Sequence, residues 1–395
     1  AATPTGLTGI TVNGGDPTTG SDTALVSATT GADAITFAAT TDDDAVVTGA
    51  GPVPITLATI EQTTIDGQGG ADALTYLSPA GSDVITFQPI GTGSGGEITA
   101  VTAVGGVLMP LAFNDVFGPA PNLIFADVSG TRTDSLTVAG TDNDDTFTLT
   151  AAGLITTADA LSSLVTPLIA TPGTSQLTLQ GLNGDDTFHV PGDHPLATLV
   201  VEGGNPDSGS DVLSFSGAGA AVTMALGAST ITEAGFAAVA YSGIETANVD
   251  AGTASLTVST TISDDVTDIS LTGADAGTLQ NNSVSPVVNF SNTGTFTVDQ
   301  LSGDDVLQVR YTTNADTVAV NVPAGLISDG VLEAVNFVNA TTEAVQVFGE
   351  EGDDTFNVTT DPAIPIFIDG GDPIGSSAGD TLNIIAGGMG VVAEV

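Results

Sequence analysis

The sequence has no Lys, no Cys and no Trp, and only two basic residues, Arg132 and Arg310, among 395. A surface that neutralises phosphates needs Lys and Arg, so no nucleic-acid partner is expected. Attraction to an anionic membrane is disfavoured for the same reason, and no apolar run reaches the ~18 residues of a spanning helix. Without Cys there can be neither a disulfide nor a Cys-ligated zinc site. Without Lys there can be no G-x-x-x-x-G-K phosphate loop. What is present is charge of one sign. There are 47 acids, for a net charge of −45. Yet charged residues make up only 12% of the chain, about half the usual ~25%. With 41% hydrophobic residues and a mean hydropathy of +0.32, the chain is too apolar for disorder. It reads as a neutral Gly/Thr/Ala/Ser/Val chain into which one kind of charge has been placed.

Repeats organise the sequence. Gly-Gly-Asp/Asn-Pro occurs at Gly14, Gly203 and Gly370, each after an apolar stretch (ITV, LVV, IFI) and each followed by an Asp: Asp22, Asp211 and Asp380. The intervals of 189 and 167 residues suggest a strand completing a preceding unit (1–13), two long units (14–202 and 203–369) and the start of a third (370–395). A shorter motif runs inside them: apolar-x-apolar, a loop, then Asp-x-apolar-x-apolar. Examples are Leu136-Thr-Val138 to Asp145-Thr-Phe147, Leu177-Thr-Leu179 to Asp186-Thr-Phe188, and Val345-Gln-Val347 to Asp354-Thr-Phe356. Further copies centre on Asp33, Asp72, Asp83, Asp265, Asp305 and Asp316. The residue two before the Asp is Gly31, Gly70, Gly81, Gly184, Gly303 or Gly352 in six copies and Asn143 or Asn314 in two more. Gly with Asn as substitute indicates a positive-φ turn. The flanks alternate apolar residues with Thr, which is a half-buried strand. The one expected helix is short, at 157–165.

The loops are dense in acid: Asp144-Asp145, Asp185-Asp186, Asp264-Asp265, Asp304-Asp305, Asp353-Asp354 and Asp42-Asp43-Asp44. Adjacent carboxylates repel, Ca2+ takes six to eight oxygen ligands, and Gly-rich turns expose carbonyls. The segments Gly67-Gln-Gly69-Gly70-Ala-Asp72, Gly181-Leu-Asn-Gly184-Asp-Asp186 and Gly349-Glu-Glu-Gly352-Asp-Asp354 resemble the G-G-x-G-x-D-x-U repeats of RTX-type secreted bacterial proteins. The wider pattern resembles the repetitive stalks of giant bacterial surface proteins and adhesins. Gln68, Leu182 and Glu350 stand where that family has its second Gly. The resemblance implies a parallel β-solenoid with Ca2+ in the turns, and Asp72, Asp186 and Asp354 as ligands. Extended beyond those three, the candidate ligands are Asp22, Asp33, Asp72, Asp83, Asp144, Asp145, Asp185, Asp186, Asp211, Asp304, Asp305, Asp353 and Asp354.

The expected fold is therefore all-β, a parallel β-solenoid, with tandem β-sandwich modules as the alternative. No enzyme is expected. His189 alternates outward within a strand, His194 sits in a turn, and Tyr76, Tyr241 and Tyr311 are isolated. The function expected is a non-enzymatic fibre, sheath or surface-layer segment outside the cell, rigidified by Ca2+. An adhesin region binding carbohydrate or ice is the alternative, with Thr146-x-Thr148-x-Thr150 as the best ice-binding row. The opening AATPTG reads as a mature N-terminus or a fragment boundary. Neither end shows a cap, so stacking of copies head to tail is expected. Asn339-Ala-Thr341 is one of several glycosylation sequons.

Overall fold

In the computed structural model, Thr- and Val-rich stretches with alternating polarity become strands whose inner residues are buried, as in Ala73–Ser78 and Val306–Arg310. The structure describes residues 6–15, 22–90, 95–116, 121–131, 133–159, 169–205, 210–282, 284–371 and 379–385. It is all-β, with two single 3-10 turns and no α-helix among these residues. Of the expected helix, 157–159 belongs to the strand Leu154–Asp159 and 160–165 lies outside the described residues. The chain divides into two compact units. One is 1–190 with 194–211 and 241–243; the other is 191–193, 212–240 and 244–395.

In the first unit the chain passes back and forth between two sheets. Strands of one sheet pair in parallel at Ala34–Ala39 with Ala73–Ser78, and Ala73–Ser78 with Leu123–Asp127. Strands of the other pair likewise at Val84–Pro89, Asp134–Ala139, Thr174–Asn183 and Thr198–Asn205. Into this parallel winding are set three-stranded meanders. One example is Ala34–Ala39, Ala45–Thr48 and Ile55–Ala58, whose last strand returns to parallel pairing with Ile10–Asn13. Another is Val84–Pro89, Gly96–Val101 and Leu111–Asn114. Each coil is thus two strands, and some coils carry an antiparallel excursion. The core lies between the sheets: Phe37, Tyr76 and Phe125 stack at 6.0 and 6.2 Å, and Phe87 meets Phe125 from the opposite sheet at 6.3 Å. All four rings are buried.

The second unit repeats the plan. Val212–Ser216, Thr246–Asp250 and Val284–Ser291 run parallel in one sheet, and Val222–Ala225, Ser255–Ser259 and Thr295–Asp299 in the other. Meanders occur at Val266–Gly273, Ala276–Asn281 and Val284–Ser291, and at Thr317–Asn321, Leu326–Ser328 and Val335–Phe337. Phe290 and Phe296 stack across the core at 4.1 Å. The parallel, coil-upon-coil pairing is that of a repetitive β-solenoid. The Gly-Gly segments at Gly14 and Gly370 follow the strands Ile10–Asn13 and Ile366–Asp369, and that at Gly203 lies within the end of Thr198–Asn205.

Candidate functional site

The motif aspartates stand at the corners where a coil enters its next strand, stacked coil upon coil. In each acidic pair the first residue is exposed and the second buried. Asp144, Asp185, Asp304 and Asp353 face water, whereas Asp145, Asp186, Asp305 and Asp354 are nearly or fully covered. The buried row forms a ladder. At these rungs the backbone N–H of one Asp donates to a carboxylate oxygen of the corresponding residue one coil later, while Asp134 N–H turns instead to the Gly173 carbonyl. In the first unit these bonds are Asp33 to Asp72 Oδ1 at 2.8 Å, Asp83 to Asp134 Oδ1 at 2.9 Å, Asp145 to Asp186 Oδ1 at 2.7 Å and Asp186 to Asp211 Oδ1 at 2.8 Å. In the second they are Asp265 to Asp305 Oδ1 and Asp316 to Asp354 Oδ1, each at 2.7 Å, and Asp354 to Asp380 Oδ1 at 2.9 Å. Glu replaces Asp at two rungs: Asp22 N–H donates to Glu61 Oε2 at 2.8 Å and Asp305 N–H to Glu343 Oε2 at 2.9 Å. An outer row runs in the opposite sense, with Asp185 N–H on Asp144 Oδ1 and Asp304 N–H on Asp264 Oδ1, at 2.9 and 3.0 Å.

Two kinds of corner alternate. At Asp33, Asp145, Asp265 and Asp316 the residue four earlier is Thr29, Thr141, Thr261 or Thr312. Both its N–H and its hydroxyl donate to the aspartate Oδ2, at 2.6–3.1 Å. At the partners one coil on, Asp72, Asp186, Asp305 and Asp354, that residue is Gln68, Leu182, Leu301 or Glu350. Each lies in the left-handed region, with φ of 62°, 83°, 55° and 73°. Here the backbone turns away: Gln68 N–H donates to Asp66, Leu301 N–H to Asp299, and Leu182 joins the strand ladder beside Gly204. Oδ2 of these four aspartates is buried with no hydrogen-bond partner. In Asp72, Asp186 and Asp354 it packs against a Gly five residues earlier. A Cβ on Gly67, Gly181 or Gly349 would collide with that carboxylate and with a carbonyl of the next coil, from Asp115, Gly203 or Gly370.

Burial sets the electrostatics. Desolvation raises Asp186 from 3.8 to about 7. The Asp145 N–H opposes the shift, and the carboxylates of Asp211, Asp145 and Asp144 add to it. Asp83, Asp134, Asp145, Asp305 and Asp354 are raised by the same leading cause. At Asp265 the hydrogen bonds from Asn281 and the Thr corner outweigh desolvation and lower it.

This placement bears on calcium. A Ca2+ ion needs six to eight oxygens converging. Among the described residues, no three His, Asp or Glu side chains could hold one ion together. One oxygen of Asp72, Asp186 and Asp354 already accepts an N–H, and the members of each acidic pair differ in exposure. Among the described residues side chains alone therefore form no cage, whereas the resemblance implies these aspartates together with neighbouring Gly carbonyls. Asp22, Asp33, Asp83, Asp145, Asp211 and Asp305 are likewise ladder members. Asp144, Asp185, Asp304 and Asp353 stand outside the buried row.

The remaining candidates are dispersed. His189 is exposed on its strand opposite Thr148; Thr146 pairs with Thr187 and Thr148 with Thr156, so each neighbouring strand continues the Thr row at one position, with His189 and Ala158 at the other. His194 is buried. Arg310 bridges Asp268 and Glu350 at 2.9 and 3.2 Å and lies 4.4 Å over the Phe348 ring. Arg132 lies outside the described residues. Comparison with known proteins returns no match to any family model or curated protein.

Proposed function

We propose that the chain is a non-enzymatic structural protein of the cell exterior, a segment of a fibre, sheath or surface layer. Copies stack head to tail in this reading. The observation that carries it is the buried ladder. Every rung ties the backbone of one coil to a carboxyl of the next, an arrangement that resists slippage between coils. A hydrogen bond to a carboxylate contributes about 1.5–3 kcal/mol, and repetition along the axis makes that cooperative. Immunogold labelling of the producing cell tests the reading: gold on the surface supports it, and gold confined to the cytoplasm overturns it.

In this reading the ladder supplies the rigidity for which calcium was expected. A calcium requirement is a separate proposal that rests on the resemblance alone. Thermal melting in Ca2+ and in excess EGTA should agree within about 2 °C, since a 1 kcal/mol effect in a chain of this size moves Tm by roughly that much. A much larger fall in EGTA would restore calcium as the stabiliser.

One observation favours the adhesin alternative. Arg310, Phe348, Glu350 and Asp369 line an open groove of about 400 Å3, a mix of aromatic, cation and acid that suits a neutral sugar. Glycan binding that is lost in Arg310→Ala would support it.

A further inference from the structure

We infer that the outer face of one sheet in the second unit is a binding track for a linear, uncharged polysaccharide. The inference rests on the adhesin alternative above, whose groove would be one end of the track.

The track is read from strand register. Asn248, Asn289, Thr278, Ser270, Arg310 and Phe348 stand opposite one another from strand to strand and form one outward row. Beside it runs a second row of Gln280, Asp268, Gln308 and Gln346. Each of these side chains is half-buried, set into the sheet but reaching water. With strands ~4.8 Å apart, the first row is about 24 Å long. Every strand that carries it has a paired neighbour on both sides. Thr246–Asp250 lies against Val212–Ser216 at one limit, and Ala344–Phe348 against Ile366–Asp369 at the other. The track is therefore a flank of the array and not an end of it.

Its side chains are not those a strand prefers. Outward rows elsewhere carry Thr in register, as at Thr86, Thr137 and Thr178, or Thr223, Thr257 and Thr297. Thr favours strands and Asn does not, so Asn248 and Asn289 stand against propensity. The amides are also aligned with one another. Asn289 Nδ2 donates to Asn248 Oδ1, and Gln308 Nε2 to Gln346 Oε1, each at 2.9 Å. Each bond fixes the orientation of both amides and uses one group of each. Asn289 Oδ1 and Gln308 Oε1 remain free to accept, and Gln346 Nε2 remains free to donate. A sugar hydroxyl both donates and accepts, which such a row satisfies. Amides held in place beforehand lose little side-chain entropy on binding.

Charge and topology select the occupant. Arg310 is engaged by Asp268 at 2.9 Å and Glu350 at 3.2 Å. Two carboxylates around one guanidinium leave no cation to hold an acidic group, and an acidic glycan would be repelled. An extended peptide docks by pairing with a sheet edge, and this face has none, because its strands are paired on both sides. A glycan lying across the strands meets a new strand every ~4.8 Å, close to the length of one sugar ring. At the far end the Phe348 ring offers apolar surface to the C–H face of such a ring.

The test uses the full chain in affinity electrophoresis through soluble neutral glycans (glucans, mannans, galactans and xylans), with alginate as the acidic control. Wild type should be retarded by at least one neutral glycan and not by alginate. Calorimetry with oligosaccharides cut from that glycan should show affinity rising ~10-fold or more from disaccharide to hexasaccharide. Asn289→Thr and Gln308→Thr install the residue that other outward rows carry, so the strands should persist. Each should weaken hexasaccharide binding by ~10-fold, the loss of one or two hydrogen bonds, and leave disaccharide binding at the Arg310 end unchanged. Thr297→Ala, on the other sheet, should bind as wild type does.

Urea unfolding of the same variants separates binding from support. If Asn289→Thr and Gln308→Thr lose stability but bind the hexasaccharide as wild type does, the amide rows only brace the sheet and the track is overturned. A hexasaccharide bound no more tightly than a disaccharide also overturns it, while leaving the Arg310 groove as a small-sugar site. Equal retardation by alginate overturns the selection for an uncharged chain. No retardation by any neutral glycan overturns the track and the adhesin alternative together, and leaves the structural reading standing.

Discussion

At the scale of the residue, the corner with Leu182 holds two costs side by side. A non-Gly residue at φ 83° is about 1–2 kcal/mol worse than in its ordinary conformation, and the Asp186 Oδ2 beside it has no partner. Gly181 is needed because the carboxylate and the Gly203 carbonyl occupy the space of its missing Cβ. Gly181→Ala should therefore destabilise by about 2 kcal/mol or more, since backbone rather than a flexible side chain must give way. Leu182→Gly should stabilise by up to ~1 kcal/mol, the relief of φ less the entropy glycine loses on folding. Urea unfolding of both variants measures this. Equal small effects of the same sign would mean that the corner is not built as described.

At the scale of the element, the sequence was legible where its pattern was local. Alternation at Phe147-Thr-Leu149 and Phe356-Asn-Val358 marked strands, because period-2 burial is a property of a few consecutive residues. The glycine two before the Asp was legible in part: Gly81, Gly184, Gly303 and Gly352 have positive φ, whereas Gly31, Gly70, Asn143 and Asn314 do not, and Gly70 is needed instead because a Cβ there would meet the Gly31 carbonyl. The middle strand of each meander was not legible. Thr230–Glu233 and Leu326–Ser328 alternate like any other strand, and nothing local says whether such a strand crosses to the opposite sheet or turns back beside its predecessor. The ladder was hidden for the same reason, since it joins residues 25–51 apart. A signal did exist in the turn itself. Thr four before the Asp marks the corner that ties down Oδ2, and Gln68, Leu182, Leu301 or Glu350 in that place marks the left-handed one. Gln68, Leu182 and Glu350, read as replacements of a family glycine, all have positive φ with a side chain attached. Glu61 and Glu343 could not be found by searching for Asp, since one extra methylene reaches the same N–H.

At the scale of the whole molecule, the accumulated acid should make the protein more stable in mild acid than in mild alkali. Asp186, raised to about 7 from 3.8, binds its proton more tightly folded than unfolded. The folded state thus holds more protons between those two values, and stability falls as pH climbs through that window. The raised groups Asp83, Asp134, Asp145, Asp305 and Asp354 act in the same sense. Asp127, lowered by the hydrogen bonds from Ser129 and Thr131 despite desolvation, and Asp265 act oppositely, and only below about pH 4. Relief of the −45 self-repulsion on acidification adds to the main trend. Tm should therefore rise by several degrees from pH 8 to about pH 5 and decline again below about pH 4. Asp186→Asn keeps an oxygen for the Asp145 N–H but carries no charge to desolvate. It should fold, lie closer to wild type at pH 5 than at pH 8, and show a shallower pH slope between them. A wild-type Tm that is flat or falling on acidification from pH 8 would mean that the buried row is fully charged and its charge balanced from solution, which would return the argument to bound cations.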